Sequence, residues 1–146
     1  MTEAPIERNS THLAGEYFVA AELYRRGYSV ALTMGNAKAI DLFAEKNGRA
    51  ISVQVKAIRS KKSVGWPIMR DRIKSSIVYI FVCLNGLDDA PTYFVCTPEE
   101  AKERCKQYKT RGIIDHSRLN TADYKDRWDK LESLLSTQHP VDRPLS

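Results

Sequence analysis

Apolar positions in this chain recur with two periods, and the changes from one to the other mark its elements. After the cap residues Asn9 to Thr11, Leu13, Tyr17, Ala20 and Tyr24 follow helical spacing until Gly27 stops the pattern, which predicts an opening helix. The run "YSVALT" (Tyr28 to Thr33) predicts a strand and "MGNAKA" a loop. Ile40 to Lys46 and Arg49 to Ala57 predict two strands around Asn47-Gly48. Such a pair selects a two-residue hairpin turn, because both central residues must accept positive φ. The segment "IRSKKSVGWPIMRDRIKSS" predicts a loop and a short helix around Ile68 to Ser75. "IVYIFVCL" (Ile77 to Leu84) has the unbroken apolar run of a strand buried on both faces, and "TYFVC" (Thr92 to Cys96) is the next strand. Thr97, Pro98 and Glu100 form a capping-box start for another helix.

Lys109 to Tyr124 shows no clear period. "DYKDRWDKLESLL" then predicts a C-terminal helix with Trp128, Leu131 and Leu135 on one face, and residues 137–146 read as a flexible tail. The order predicts an α/β protein: a mixed central β-sheet flanked by helices, in one domain over residues 1–136. Tyr79, Phe81, Tyr93 and Phe94 fall in apolar strands and are expected in the core.

Counting back from the turn, Lys46 opposes Arg49 and Asp41 opposes Gln54. Ile40, Leu42 and Ala44 then share an apolar face with Ile51, Val53 and Val55, while Asp41, Gln54 and Lys56 share the other. Opposed Cβ atoms lie about 5 Å apart, so the Asp41 carboxylate and the Gln54 amide oxygen can reach one hard cation. Mg²⁺ takes oxygen ligands, and the Val55 carbonyl can complete the protein's share. Glu16 sits at the edge of the apolar stripe of the first helix, whereas Glu22 falls in its solvated sector. An acid turned inward needs a partner, and a metal-bound water is one.

The 146 residues are 42% hydrophobic and 28% charged, the balance of a globular chain. No apolar run approaches the ~20 residues of a membrane-spanning helix, and "MTEAPIERNS" lacks the apolar core of a secretory signal, which leads to an expected cytoplasmic location. Cys83, Cys96 and Cys105 are odd in number and lack C-x-x-C spacing, so core packing is expected of them. His12, His116 and His139 lack metal-ligand spacing, and surface or capping roles are expected. The net charge of +5 favours a polyanionic partner. Its densest cations, Arg59, Lys61, Lys62, Arg70, Arg72 and Lys74, follow Lys56 directly and include Trp66 among them, and Lys38 precedes Asp41. They are the expected DNA-contacting residues.

Glu16 in an N-terminal helix, Asp41 opening a strand after "NAKAI" and Gln54-Val55-Lys56 closing the next in "QVKA" resemble the PD-(D/E)XK nuclease superfamily, the restriction-endonuclease-like fold. The resemblance covers Leu13 to Cys96 and implies an α-β-β-β-α-β-β core. It implies a Mg²⁺-dependent DNA endonuclease in which Asp41, Gln54, Val55 and Glu16 hold the ion and Lys56 positions or activates water. Mn²⁺ is the expected substitute ion, the products carry a 5′-phosphate, and a homodimer places two sites on two strands. Ile40 replaces the proline of the motif, and Gln54 stands where many members carry an acid. A neutral amide keeps the oxygen donor but removes one negative charge. The alternative is therefore a catalytically inactive nucleic-acid-binding module of the same fold, and a partner-binding protein with an ordinary basic face is the third reading.

Overall fold

The computed structural model describes residues 8–34 and 39–137. Helix α1 (Arg8–Arg25) leads into β1 (Ser29–Leu32), β2 (Leu42–Lys46) and β3 (Arg49–Ile58), followed by β4 (Gly65–Pro67), β5 (Ile77–Cys83) and β6 (Thr92–Cys96). Helix α2 (Pro98–Arg104), β7 (Lys106–Gln107), β8 (Gly112–Asp115), α3 (His116–Leu119) and α4 (Asp129–Thr137) complete the chain. The central sheet runs β1-β2-β3-β5-β6, with β3 and β5 parallel and the other neighbours antiparallel. It is the expected mixed sheet flanked by helices. Lys38 lies outside the described residues, as does the expected tail apart from Thr137.

The β2–β3 hairpin forms from local chemistry. Asn47 and Gly48 take φ of 55° and 76°, the pair of positive values that a tight hairpin turn demands. From there the register runs Lys46↔Arg49 to Leu42↔Val53, as counted from the sequence. Leu42, Ala44, Ile51, Val53 and Val55 then fill one core cluster with Val78, Ile80 and Val82 of β5. Trp128, Leu131 and Leu135 close this cluster, although α4 begins at Asp129, later than expected, and leaves Trp128 just ahead of it; Val19 and Leu23 cover the cluster from α1.

The stripe that α1 buries differs from the expected one. Gly15 lies so close to β3 that a Cβ there would come 2.6 Å from the Cβ of Ala57. This approach turns Glu16, Val19, Ala20 and Leu23 inward and leaves Tyr17 and Tyr24 exposed.

On the other face of the sheet, Tyr79, Phe81 and Cys83 of β5 and Phe94 and Cys96 of β6 form a second cluster. The four strand aromatics and all three cysteines are buried, the cysteines as free thiols. Helix α2 packs here, opened by the expected capping box: Glu100 N–H donates to Thr97 Oγ1 (3.2 Å) and Thr97 N–H to Glu100 Oε1 (2.9 Å).

The helix expected at Ile68 to Ser75 is absent. Trp66 and Ile68 are buried with Pro67 exposed between them, a period of two, and Met69 and Ile73 are extended, so only one 3-10 turn forms at Arg70–Arg72. The segment instead supplies β4, which pairs with β8 in a second sheet ordered β4-β8-β7. Of its partners, β8 lies within the stretch from Lys109 to Tyr124 whose sequence shows no period, and β7 lies just before it. Trp66, placed among the cations by its sequence position, is fully buried and donates from Nε1 to the carbonyl of Val82 (3.0 Å). Among the described residues no helix is long and apolar enough to cross a membrane.

Candidate metal and nucleic-acid site

The hairpin register breaks one residue before the expected acid. Leu42 faces Val53, yet Asp41 N–H also donates to the Val53 carbonyl (2.9 Å), so two residues on one strand meet one on the other. This β-bulge removes Asp41 from its counted position opposite Gln54 and re-aims its side chain. It also reverses Ile40, which packs against the second cluster with Ala39 rather than beside Leu42 and Ala44. Upstream the chain leaves the ladder through Ala39, at φ 64°. The Asp41 carbonyl still accepts Thr33 N–H (3.0 Å), and Thr33 Oγ1 donates to the Ile40 carbonyl (2.7 Å). The acid is thus anchored from both neighbouring strands.

Freed from the ladder, the Asp41 carboxylate replaces a backbone partner: its Oδ2 accepts the N–H of Val55 at 2.7 Å. Ladder N–H groups lie in the plane of the sheet, so the carboxylate sits in the gap where β2 parts from β3. Glu16 reaches this gap from α1. Glu16 is 6% exposed, the one charged residue among those described that is buried. Burial pushes its carboxyl up from the ordinary value of 4.5, the charge of Asp41 adds to the rise, and His12 opposes it. The two acids are therefore an electrostatically uncomfortable pair.

His12, one helical turn before Glu16, completes a cluster. Its Nε2 lies 3.4 Å from Glu16 Oε2 and 3.6 Å from Asp41 Oδ1. One donor atom from each of the three residues falls within 4.8 Å of the others. His12 is not among the site residues expected from the sequence, although its i,i+4 spacing to Glu16 puts both on one helix face.

Lys56 approaches from the other side of the sheet. Burial holds its ammonium below the ordinary value of 10.5; the Asp41 carboxylate counters that shift and the Arg72 guanidinium reinforces it. Gln54 and Lys56, two residues apart on β3, line a cleft of about 970 Å³ together with Arg72, Lys74 and Arg111. Of the expected site residues, Glu16 and Asp41 thus meet at the bulge, Gln54 and Lys56 share the cleft, and Val55 contributes its N–H to Asp41.

The expected DNA-contacting cations are dispersed. Arg72 and Lys74 line the cleft. Lys61 and Lys62 line a separate hollow with Asn85 and Asp89 beyond the end of β3. The guanidinium of Arg70 is bound to the carbonyls of Cys105 and Lys102, and Arg59 has its Nε buried. Arg111, missed in the sequence, joins the cleft from the turn between β7 and β8. That turn is stapled: Gln107 Nε2 donates to the carbonyls of Tyr108 (2.7 Å) and Arg111 (3.1 Å), and Gln107 Oε1 accepts Arg70 N–H (2.8 Å). The cation run from Lys109 to Arg111 was its one sequence signal.

No protein-family model and no curated protein matches the chain. Solved structures do. The bacterial homing endonuclease I-Ssp6803I superposes with a TM-score of 0.64 at 13% identity, covering 91% of this chain and 98% of that one. The Holliday junction resolvase Hjc of Archaeoglobus fulgidus, an archaeal hyperthermophile, gives 0.50 at 13% identity, covering 74% and 86%. Both have nuclease folds of PD-(D/E)XK type, and the mixed central sheet flanked by helices in this chain is accordingly restriction-endonuclease-like in fold.

Proposed function

We propose that this protein is a metal-dependent endonuclease that hydrolyses DNA phosphodiester bonds, with Mg²⁺ as its ion and Mn²⁺ as a substitute. The observation that carries this reading is the meeting of Asp41 and Glu16 at a bulge beside Lys56, in a fold shared with nucleases. The donor set fits a divalent cation: two carboxylates face each other with Glu16 buried, and the charge of Asp41 raises the cost of ionising Glu16 further. Asp41 and Glu16 would hold the ion, with Gln54 Oε1 and the Val55 carbonyl as the remaining protein oxygens. A bound cation of this class neutralises developing phosphate charge and acidifies water.

The chain's own groups supply the rest. The bulge and the Val55 N–H fix the Asp41 carboxylate, so it needs no reordering when substrate arrives. Lys56 holds its proton less firmly than an exposed lysine does. Its amine can thus orient the attacking water and pass a proton at Nζ, or as ammonium lie beside the charge gathering on the phosphoryl oxygens. Arg72, Lys74 and Arg111 line the cleft with cations that fit the flanking phosphates of a DNA strand.

Supercoiled, linear, branched and single-stranded DNA, each incubated with Mg²⁺ or Mn²⁺, test the proposal against Asp41→Asn and Lys56→Ala. Metal-dependent cutting by the native protein and its loss in both variants are expected. No cutting of any substrate by the native protein would overturn it. The neutral Gln54 favours a second reading, a module that binds nucleic acid without cutting it; DNA and metal binding without cleavage would be its signature.

A further inference from the structure

Resting on the metal site proposed above, we infer that His12 is a third protein ligand of that site, which gives it one nitrogen and two carboxylate donors and tilts it from Mg²⁺ towards first-row transition ions. The imidazole Nε2 faces both acids, at 3.4 Å from Glu16 and 3.6 Å from Asp41, and the three donor atoms span no more than 4.8 Å. Asp41 divides its oxygens between two tasks. Oδ2 accepts the Val55 N–H, and Oδ1 is the oxygen turned towards His12. An ion held by Oδ1 and Glu16 therefore lies within reach of the imidazole.

Exposure gives the site a direction. The side chains of Glu16 and Asp41 are 8% and 16% exposed, while that of His12 is 43% exposed. His12 thus stands on the solvent side of two shielded carboxylates, where an ion arriving from water meets it first. Nitrogen ligation at Nε2 requires the proton on Nδ1, the nitrogen turned away from the acids. Mg²⁺ prefers oxygen donors and keeps its waters, whereas imidazole suits the later first-row ions, and affinity for such a mixed site rises from Mn²⁺ through Co²⁺.

Calorimetric titration of the metal-free protein with Mg²⁺ and with Co²⁺, alongside pulsed EPR of the Mn²⁺-loaded protein, tests this without measuring cleavage. Native protein, His12→Ala, His12→Gln and Asp41→Asn are compared after circular dichroism shows each folded. Expected are tighter binding of Co²⁺ than of Mg²⁺, ¹⁴N coupling to Mn²⁺ in the native protein, and its disappearance in both His12 variants. The Co²⁺-to-Mg²⁺ affinity ratio should fall by at least about tenfold, the smallest loss typical even of outer-shell partners. Metal binding that depends on Asp41 but shows no ¹⁴N coupling and an unchanged ratio would overturn the role of His12 and leave the metal site standing. Binding of neither ion by the native protein would overturn both.

Discussion

On the α1 side of the central sheet, Val19, Leu23, Val55 and Val82 close a dry core in which Glu16 is the one buried charge among the described residues. On the opposite side, Gln54, Lys56, Arg72 and Lys74 line an open cleft roofed by the second sheet. Asp41 sits in the gap between them, bonded to β3 in the plane of the sheet. The same unit charge acts differently in the two places. Beside Glu16 water is excluded and the pair interacts strongly, while across the cleft the cations are screened and act over a broad area. A fold that divides its acids and cations in this way can grip a small ion tightly and a long polyanion loosely.

Four perturbations sharpen the contrast. Largest is Lys56→Ala, which removes a cleft ammonium on which the Asp41 charge acts; cleavage should fall about 10²- to 10⁴-fold, the usual worth of a proton-transferring group. Gel-shift affinity for uncut DNA, measured with Ca²⁺ in place of Mg²⁺, should change far less.

Next come two of the tight glycine contacts, one on each side of the sheet. A Cβ at Gly65 would lie 2.0 Å from the Ile114 carbonyl oxygen and one at Gly15 2.6 Å from the Ala57 Cβ. Backbone yields less than a methyl group, so Gly65→Ala should destabilise by about 3 kcal/mol and Gly15→Ala by about 1 kcal/mol in urea unfolding. Equal losses would contradict the idea that the second sheet is the more rigid support.

Removing a single cleft cation has a smaller effect. Arg111→Ala should reduce the slope of log affinity against log salt by about 1 without changing sequence preference. A variant at Lys62, in the separate hollow, serves as the comparison. If Lys62→Ala lowers the slope and Arg111→Ala does not, the DNA path runs beyond β3 instead.

Smallest is the pH dependence of the metal-free protein. Glu16 titrates above 4.5 when folded, so the folded state holds that proton more tightly than the unfolded chain does. This contribution is fully present below pH 4.5 and is lost as pH rises through the raised value. Urea midpoints should decline across that window, and Glu16→Gln should flatten the decline. His12 and Asp41, beside Glu16, and Lys56, which interacts with Asp41, are all retained in Glu16→Gln, so the comparison isolates the Glu16 carboxyl.

The hairpin was legible in the sequence because its determinants are local: Asn47 and Gly48 set the turn, and alternation from Leu42 to Val55 set the faces. The bulge at Asp41 was not, since it depends on Thr33 and Val53 holding the chain from both sides. That Glu16 turns inward could be expected from its place on the apolar stripe, while the contact that aims Asp41 could not. The crossover after β3 misled for a related reason. Its strand pairs Trp66 with Ile114, 48 positions away, and nothing within "GWPIMRDRI" announces that partner. Arg70 and Trp66 were read from their position in a basic stretch, but backbone carbonyls and a core pocket claim them. His12 has no histidine at metal-ligand spacing, because its neighbours in the cluster are acids on α1 and on the approach to β2.

A crystal of the native protein soaked in Mn²⁺ and measured at the manganese absorption edge tests the metal site directly. One strong anomalous peak bonded to Asp41 and Glu16 is expected at the gap between β2 and β3. A peak elsewhere on the surface, or none at the gap with the metal present at millimolar concentration, would contradict it.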